Sequence, residues 1–348
     1  MATPLLICDD SSLARKQIAR SLPENLAVDI SFATHGGEAL DAIRAGKGDV
    51  LLLDLNMPVM DGYQVLEAIQ REDLPTMVIV ISGDIQPSAY QRVKKLGALD
   101  FIKKPVSQTT LNHVLLQYGV FSDSDFIEES FSTVTATENI SDVQTLNASG
   151  ELSARLRDCY QEVANVAMGR AGDLLARLLN VFVMLPVPNV NYIAVSEVSM
   201  ALNAIEADES ISGVCQGFIG GGISGEALLI LNDSSFLDLA ALMNYSEGVD
   251  EQAELELLMD VANVLIGACL GGMSEQLKFK FSQGHPVVLG QHYHISDLMD
   301  DNIKTMQKTL AIEISYGIEG HAIKCDLLLL FTEKSMQKLN EKVLHLLD

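Results

Sequence analysis

The sequence predicts an α/β doubly wound five-stranded parallel sheet at its amino end, followed by an α+β region with an internal pseudo-twofold repeat. Three observations point that way. Across residues 1–120, short β-branched or leucine-rich runs alternate with segments of helical period. Residues 121–150, FSDSDFIEESFSTVTATENISDVQTLNASG, hold no Lys or Arg and many Ser and Thr, the composition of an extended linker. Over 151–348 the order becomes long helix, strand-like runs, second long helix and further strands, with landmarks recurring at a fixed offset.

The strand candidates of the first region are Leu5–Cys8, Val28–Phe32, Val50–Asp54, Met77–Ile81 and Leu99–Lys103. Between them lie amphipathic stretches such as SSLARKQIARSL, GYQVLEAIQRE and SAYQRVKKLG. Serine hydroxyls cap the first, and Gly97 closes the last because glycine accepts the left-handed turn that ends a helix. In the second region Asn165 and Asn263, Pro188 and Pro286, Phe218 and Tyr316, and Leu231 and Leu329 are each 98 residues apart. A constant offset across a helix, a proline and a strand implies two copies of one supersecondary unit.

Composition limits the function. The 348 residues carry 23 Lys and Arg against 47 Asp and Glu, a net charge of −24 that repels phosphate backbones and anionic lipid. No nucleic-acid partner and no membrane insertion are expected. An apolar fraction of 48% supports packed cores, and no uninterrupted apolar run of about 18 residues exists. The opening MATPLLICDDSS lacks a basic leader, so a cytoplasmic protein is expected. Cys8, Cys159, Cys215, Cys269 and Cys325 are scattered, without a C-x-x-C pair, and read as reduced core thiols. GFIGGGISG at 217–225 lacks a Gly-Lys-Ser/Thr ending and reads as a hairpin turn. His285, His292 and His294 have no acidic or thiol companions at ligand spacing, which argues against zinc. The helical glycines Gly169, Gly172, Gly267, Gly271 and Gly272 are expected to mark close helix packing.

The chemistry of the first region is acidic. In an open parallel sheet, ligands bind beyond the carboxyl ends of the strands where strand order reverses. Asp9, Asp10 and Asp54 fall there, and crowded carboxylates repel unless a cation joins them. Mg²⁺ suits an all-oxygen set, and beside it one carboxylate can act as nucleophile toward phosphorus. Ser82 can hydrogen-bond a phosphoryl oxygen, and Lys104 can hold another as a point charge.

With CDDSS, LLLDLNMPVMDG, IVISG and FIKKP in this order, residues 1–120 resemble the receiver domain of two-component response regulators, a flavodoxin-like fold. The resemblance implies Asp54 as phosphoacceptor, Mg²⁺ held by Asp10, Asp54 and the Asn56 carbonyl with Asp9 acting through water, and a histidine kinase as phosphodonor. It further implies Ser82 as the switch hydroxyl, Lys104 as the phosphate-binding lysine and Phe101 as the rotameric aromatic. Phe101 lacks the hydroxyl that tyrosine supplies in many relatives. Lys103 reads as a surface charge.

On the first long helix Asp158, Glu162 and Asn165 share one stripe; on the second Glu256, Asp260 and Asn263 repeat it, each Asn preceding a proline by about the same stretch. A carboxamide both donates and accepts, so it can orient a water in line with the phosphorus of an activated acyl phosphate. A neighbouring Glu can anchor a partner through an exposed lysine, such as the phosphate-binding one. The surrounding QEVANVAMGRAGDLLARLL and MDVANVLIGACLGGMSEQL resemble the CheC, FliY and CheX family of phosphatases. That resemblance implies one active site at Glu162 and Asn165 and a second at Asp260 and Asn263, with Asp260 standing where Glu is usual, so the Asn165 site ranks first. The expected function is hydrolysis of aspartyl phosphate on a receiver, this chain's own or a CheY-like partner's, in chemotaxis signalling. A non-catalytic docking module and a phosphate sink are the alternatives, and a homodimer is among the assemblies considered.

Overall fold

The computed structural model describes residues 2–23, 26–121, 152–194, 210–245, 249–293 and 308–346, so the linker expected at 121–150 lies almost wholly outside the described residues. The chain forms two compact units, Met1–Ser82 with Arg92–Ala154, and Gly83–Gln91 with Arg155–Asp348.

The first sheet contains β1 (Thr3–Cys8), β2 (Val28–Ala33), β3 (Val50–Leu53), β4 (Met77–Ser82) and β5 (Asp100–Lys103), all parallel, in the order β2-β1-β3-β4-β5. Period-two alternation sorts its side chains to two faces. Leu6, Cys8, Leu51 and Leu53 pack with residues of α2 (Gly36–Arg44) and α3 (Gly62–Glu72). Leu5, Ile7, Val50 and Leu52 pack with residues of α1 (Ser12–Arg20) and α5 (Gln108–Gln117). Between β4 and β5 runs α4 (Pro87–Lys95). The Ser11 hydroxyl caps α1 by accepting from the Ala14 amide at 3.1 Å. Gly97 takes φ +94°, the left-handed turn expected after α4.

The second unit is built on an antiparallel sheet. Two long helices, α6 (Ala154–Leu179) and α8 (Glu251–Leu277), open the two copies of the repeat, and α7 (Ser235–Leu242) and α9 (Met336–Leu344) close them. The strands are β6 (Val183–Met184), β7 (Asn189–Ala194), β8 (Ile211–Gly220), β9 (Ile223–Asn232), β10 (Ser282–Gln283), β11 (Val287–Tyr293), β12 (Lys308–Ile318) and β13 (Lys324–Thr332). The hairpins β8-β9 and β12-β13 meet at β9-β13 in the middle of the sheet. The short strands then change partners: β6 and β7 of the first copy pair with β12 of the second, while β10 and β11 pair with β8 of the first. Neither copy can complete its sheet alone, which explains why two are present.

The copies differ at one turn. Gly220 pairs with Ile223 across Gly221 and Gly222, whose φ values of +58° and +77° are those of a tight primed hairpin turn. In the second hairpin the ladder closes at Gly317 and Lys324, and the longer turn moves the register by two residues, so Leu231 corresponds to Phe331 and not to Leu329. The glycine expectation also divides. A Cβ on Gly272 would stand 2.9 Å from the Ala167 Cα on α6, and one on Gly172 would meet the Leu185 side chain at 2.6 Å, so these mark close approach. Gly267 and Gly271 have nothing within 4 Å of that position and do not. Among the described residues α8 alone is long and apolar enough to cross a bilayer by length and composition, and more than half of that stretch is buried in its unit, as in a core helix.

Candidate functional sites

Strand register places the acidic cluster. Cys8 is level with Leu53, so Asp9 and Asp54 leave adjacent strands side by side at the carboxyl edge of the sheet. This is where the order reverses, since the chain turns outward to β2 on one side of β1 and β3 and to β4 on the other. Ser82 ends β4 opposite Lys103, and the Lys104 amide donates to the Ser82 carbonyl at 2.9 Å. One oxygen each from Asp9, Asp10 and Asp54 lies within 4.8 Å of the others. Asp9, Asp54, Ser82 and Lys104 are buried, Asn56 is buried beside them, and Asp10 is half-buried.

Lys104 is the cation already present, with Nζ 2.8 Å from Asp9 Oδ2 and 3.5 Å from Asp54 Oδ1. It is 2% exposed, with acids of its own site in reach. Its neighbour Lys103 is exposed, as expected. Three carboxylates and one ammonium leave a surplus of negative charge, and an all-oxygen set this tight suits a hard divalent ion such as Mg²⁺. Cys8 follows the same field: burial first, then Asp9 and Asp54, push its thiol far above the ordinary range. Phe101 sits on β5 opposite Val80, half-buried against the α2-α3 side of the core.

Two further residues shape this site. Arg15 on α1 donates to the backbone carbonyls of Asp9, at 2.5 Å, and Asp10, at 3.0 Å, holding the acidic turn in place. Its place one turn into the helix after an acid pair is the sequence signal that could have found it. Gly62 starts α3 where a Cβ would stand 2.3 Å from the Asp54 carbonyl oxygen, so only glycine lets the helix begin this close to Asp54.

In the second unit, Glu162 and Asn165 occupy one stripe of α6 and are 7% and 4% exposed. Gly83–Gln91 belongs to this unit, and a Cβ on Gly83 would lie 3.2 Å from the Asn165 carbonyl oxygen and 3.3 Å from the Val166 Cα. The Gly83 carbonyl occupies the space that a Gly169 side chain would need. Gln86 is fully buried; its Nε2 donates to the Val183 carbonyl at 2.8 Å, and its Oε1 accepts from the Val183 amide at 2.9 Å. On α8 the equivalent residues are open: Glu256, Asp260 and Asn263 are all exposed. Tyr245, which the sequence did not single out, brings its hydroxyl to 3.5 Å from Glu256 Oε2. Lost hydration, then Glu256 and Asp260, raise the pKa of that phenol.

Residues 5–116 match the family described as Response regulator receiver domain, so the first unit carries a receiver domain. Among similar curated proteins, a protein-glutamate methylesterase/protein-glutamine glutaminase of Geobacter sulfurreducens is 34% identical over 48% of this chain and 40% of its own length. The probable transcriptional regulatory protein NarL of Mycobacterium tuberculosis is 34% identical over 32% of this chain and 52% of its own. The chain thus spans about half, or less, of these relatives. Among solved structures, Thermotoga maritima FliY aligns with 56% of this chain and 98% of its own at 18% identity and a TM-score of 0.43. The signal receiver domain of Mycobacterium tuberculosis NarL aligns with 34% of this chain and 95% of its own at 33% identity and a TM-score of 0.32.

Proposed function

We propose that this chain is a two-component response regulator, phosphorylated at Asp54 by a histidine kinase, whose second unit hydrolyses aspartyl phosphate on receiver domains in chemotaxis-type signalling in the cytoplasm. One observation carries the enzymatic part of that reading: an acid and a carboxamide three residues apart recur at equivalent places on α6 and α8, Glu162 with Asn165 and Asp260 with Asn263. A repeat that served packing alone would leave no reason for the exposed copy to keep the amide.

At the receiver, Asp54 Oδ attacks phosphorus and the donor's leaving group departs. Lys104 then holds one phosphoryl oxygen and the Ser82 hydroxyl another. A Mg²⁺ held by Asp10, Asp54 and the Asn56 carbonyl, with Asp9 acting through water, would neutralise phosphoryl charge at this edge. In hydrolysis a water oxygen bonds to phosphorus and the bond from phosphorus to the Asp54 oxygen breaks. Asp54 leaves as carboxylate, and the water proton passes to the released phosphate or to solvent. An asparagine side chain serves by fixing the water in line, and neither it nor its acid need be a strong base.

The test is phosphate release from full-length chain loaded with a small-molecule phosphodonor. Asp54→Asn should abolish acyl-phosphate formation. Asn165→Ala with Asn263→Ala should slow release by at least about tenfold, the scale of losing in-line placement. Unchanged release in the double variant favours the non-catalytic docking module.

A further inference from the structure

We infer that the α8 site serves the receiver of a second copy of this chain. The inference rests on the phosphatase reading above and reverses, for action between molecules, the ranking that the sequence supports. Two equivalent sites occupy opposite environments. Glu162 and Asn165 are 7% and 4% exposed, whereas Asp260 and Asn263 are exposed. A separate macromolecule can reach the second pair as it stands.

Charge defines the partner. From Glu251 to Leu277, α8 carries Glu251, Glu254, Glu256 and Asp260, with Glu275 paired to Arg170, and no Lys or Arg, whereas α6 carries Arg155, Arg157, Arg170 and Arg177 beside Asp158, Glu162 and Asp173. The surface that fits an acidic helix is basic, and in a chain of net charge −24 such surfaces are scarce. The receiver has one beside its phosphorylation edge. The last turn of α4 holds Arg92, Lys94 and Lys95, and Lys103 ends β5 next to the phosphate-binding position. Lys95 and Lys103 are exposed. Lys103 is exposed at the end of β5, where a docking carboxylate can meet it. An Asp260 paired with Lys103 would carry Asn263, one turn further along α8, toward the acyl phosphate.

The experiment mixes two full-length variants. The substrate copy carries Asn165→Ala and Asn263→Ala and is phosphorylated at Asp54; the catalyst copy carries Asp54→Asn and cannot be loaded. Loss of acyl phosphate is followed against catalyst concentration. The catalyst should accelerate it, and Asn263→Ala in the catalyst should remove at least about nine-tenths of that acceleration. Lys103→Glu in the substrate should raise the half-saturating catalyst concentration, and Asp260→Lys in the catalyst should recover part of it. Raising ionic strength from about 0.1 M to about 1 M, which shortens the screening length from about 10 Å to about 3 Å, should weaken the effect. Acceleration kept with Asn263→Ala in the catalyst, or no acceleration by any catalyst copy, overturns the inference. If the intact chain also ignores both asparagines, the phosphatase reading fails with it.

Discussion

Lys104 and Asp9 form a buried ion pair, Nζ to Oδ2 at 2.8 Å, with Asp54 Oδ1 0.7 Å farther from the same nitrogen at 3.5 Å. One ammonium is therefore shared by two carboxylates on neighbouring strand ends. Removing one partner of a buried pair leaves uncompensated charge and costs about 3–5 kcal/mol. Lys104→Met should lower the unfolding temperature of the full chain. Because a divalent cation can replace the missing charge, Mg²⁺ should stabilise the variant more than the wild type, and scanning calorimetry with Mg²⁺ or with chelator measures the difference. Equal shifts in both proteins would place the cation elsewhere.

Val59 lies in the loop between β3 and α3 with φ +70° and is 86% exposed. A β-branched residue in the left-handed region costs about 1–2 kcal/mol, and so exposed a side chain recovers little by packing. Glycine removes the strain but adds freedom to the unfolded chain, worth about 0.5–1 kcal/mol. Val59→Gly should therefore raise the urea midpoint, by up to about 1 kcal/mol in stability. A fall in midpoint would mean that the isopropyl group packs in solution.

Burial pushes the Cys269 thiol up to about 12 from an ordinary 9.0. The unfolded chain releases this proton first. The stabilisation is complete below pH 9.0 and is lost progressively as pH rises toward 12. By pH 10.5 the unfolded form should have gained on the order of 2 kcal/mol from this thiol. Cys269→Ala should start less stable at pH 8, because a core atom is lost, but should show a shallower decline over that window. Parallel slopes in urea titrations would exclude the thiol as the source.

Much of this architecture was legible from residue order alone. The five strands of the first unit follow their β-branched runs to within two residues, because each is a local apolar segment bounded by polar turns. GFIGGGISG formed the expected hairpin because only glycine takes two successive positive φ values without strain. What sequence could not supply was non-local. The exchange of β6-β7 and β10-β11 between repeats leaves no periodic trace, since edge pairing depends on partners about 60 to 135 residues away. Burial of Lys104, and of Glu162 and Asn165, likewise depends on tertiary neighbours; the stripe identifies a face of a helix but not what covers it.

The glycines of α8 provide an internal control. A Cβ on Gly272 would come within 2.9 Å of the Ala167 Cα and 3.2 Å of the Arg170 Cδ, while one on Gly267 would meet nothing within 4 Å. Backbone entropy and helix propensity are the same at both, favouring alanine by about 1 kcal/mol in a helix interior. Only the packing differs. Gly267→Ala should stabilise the chain by up to that amount. Gly272→Ala must push α6 and α8 apart by a few tenths of an ångström, and overpacking costs about 1–3 kcal/mol, so its net effect should be destabilising. Chemical denaturation of the two variants side by side reads the contrast. If both substitutions stabilise, α6 and α8 do not approach through Gly272 as closely as this structure has them.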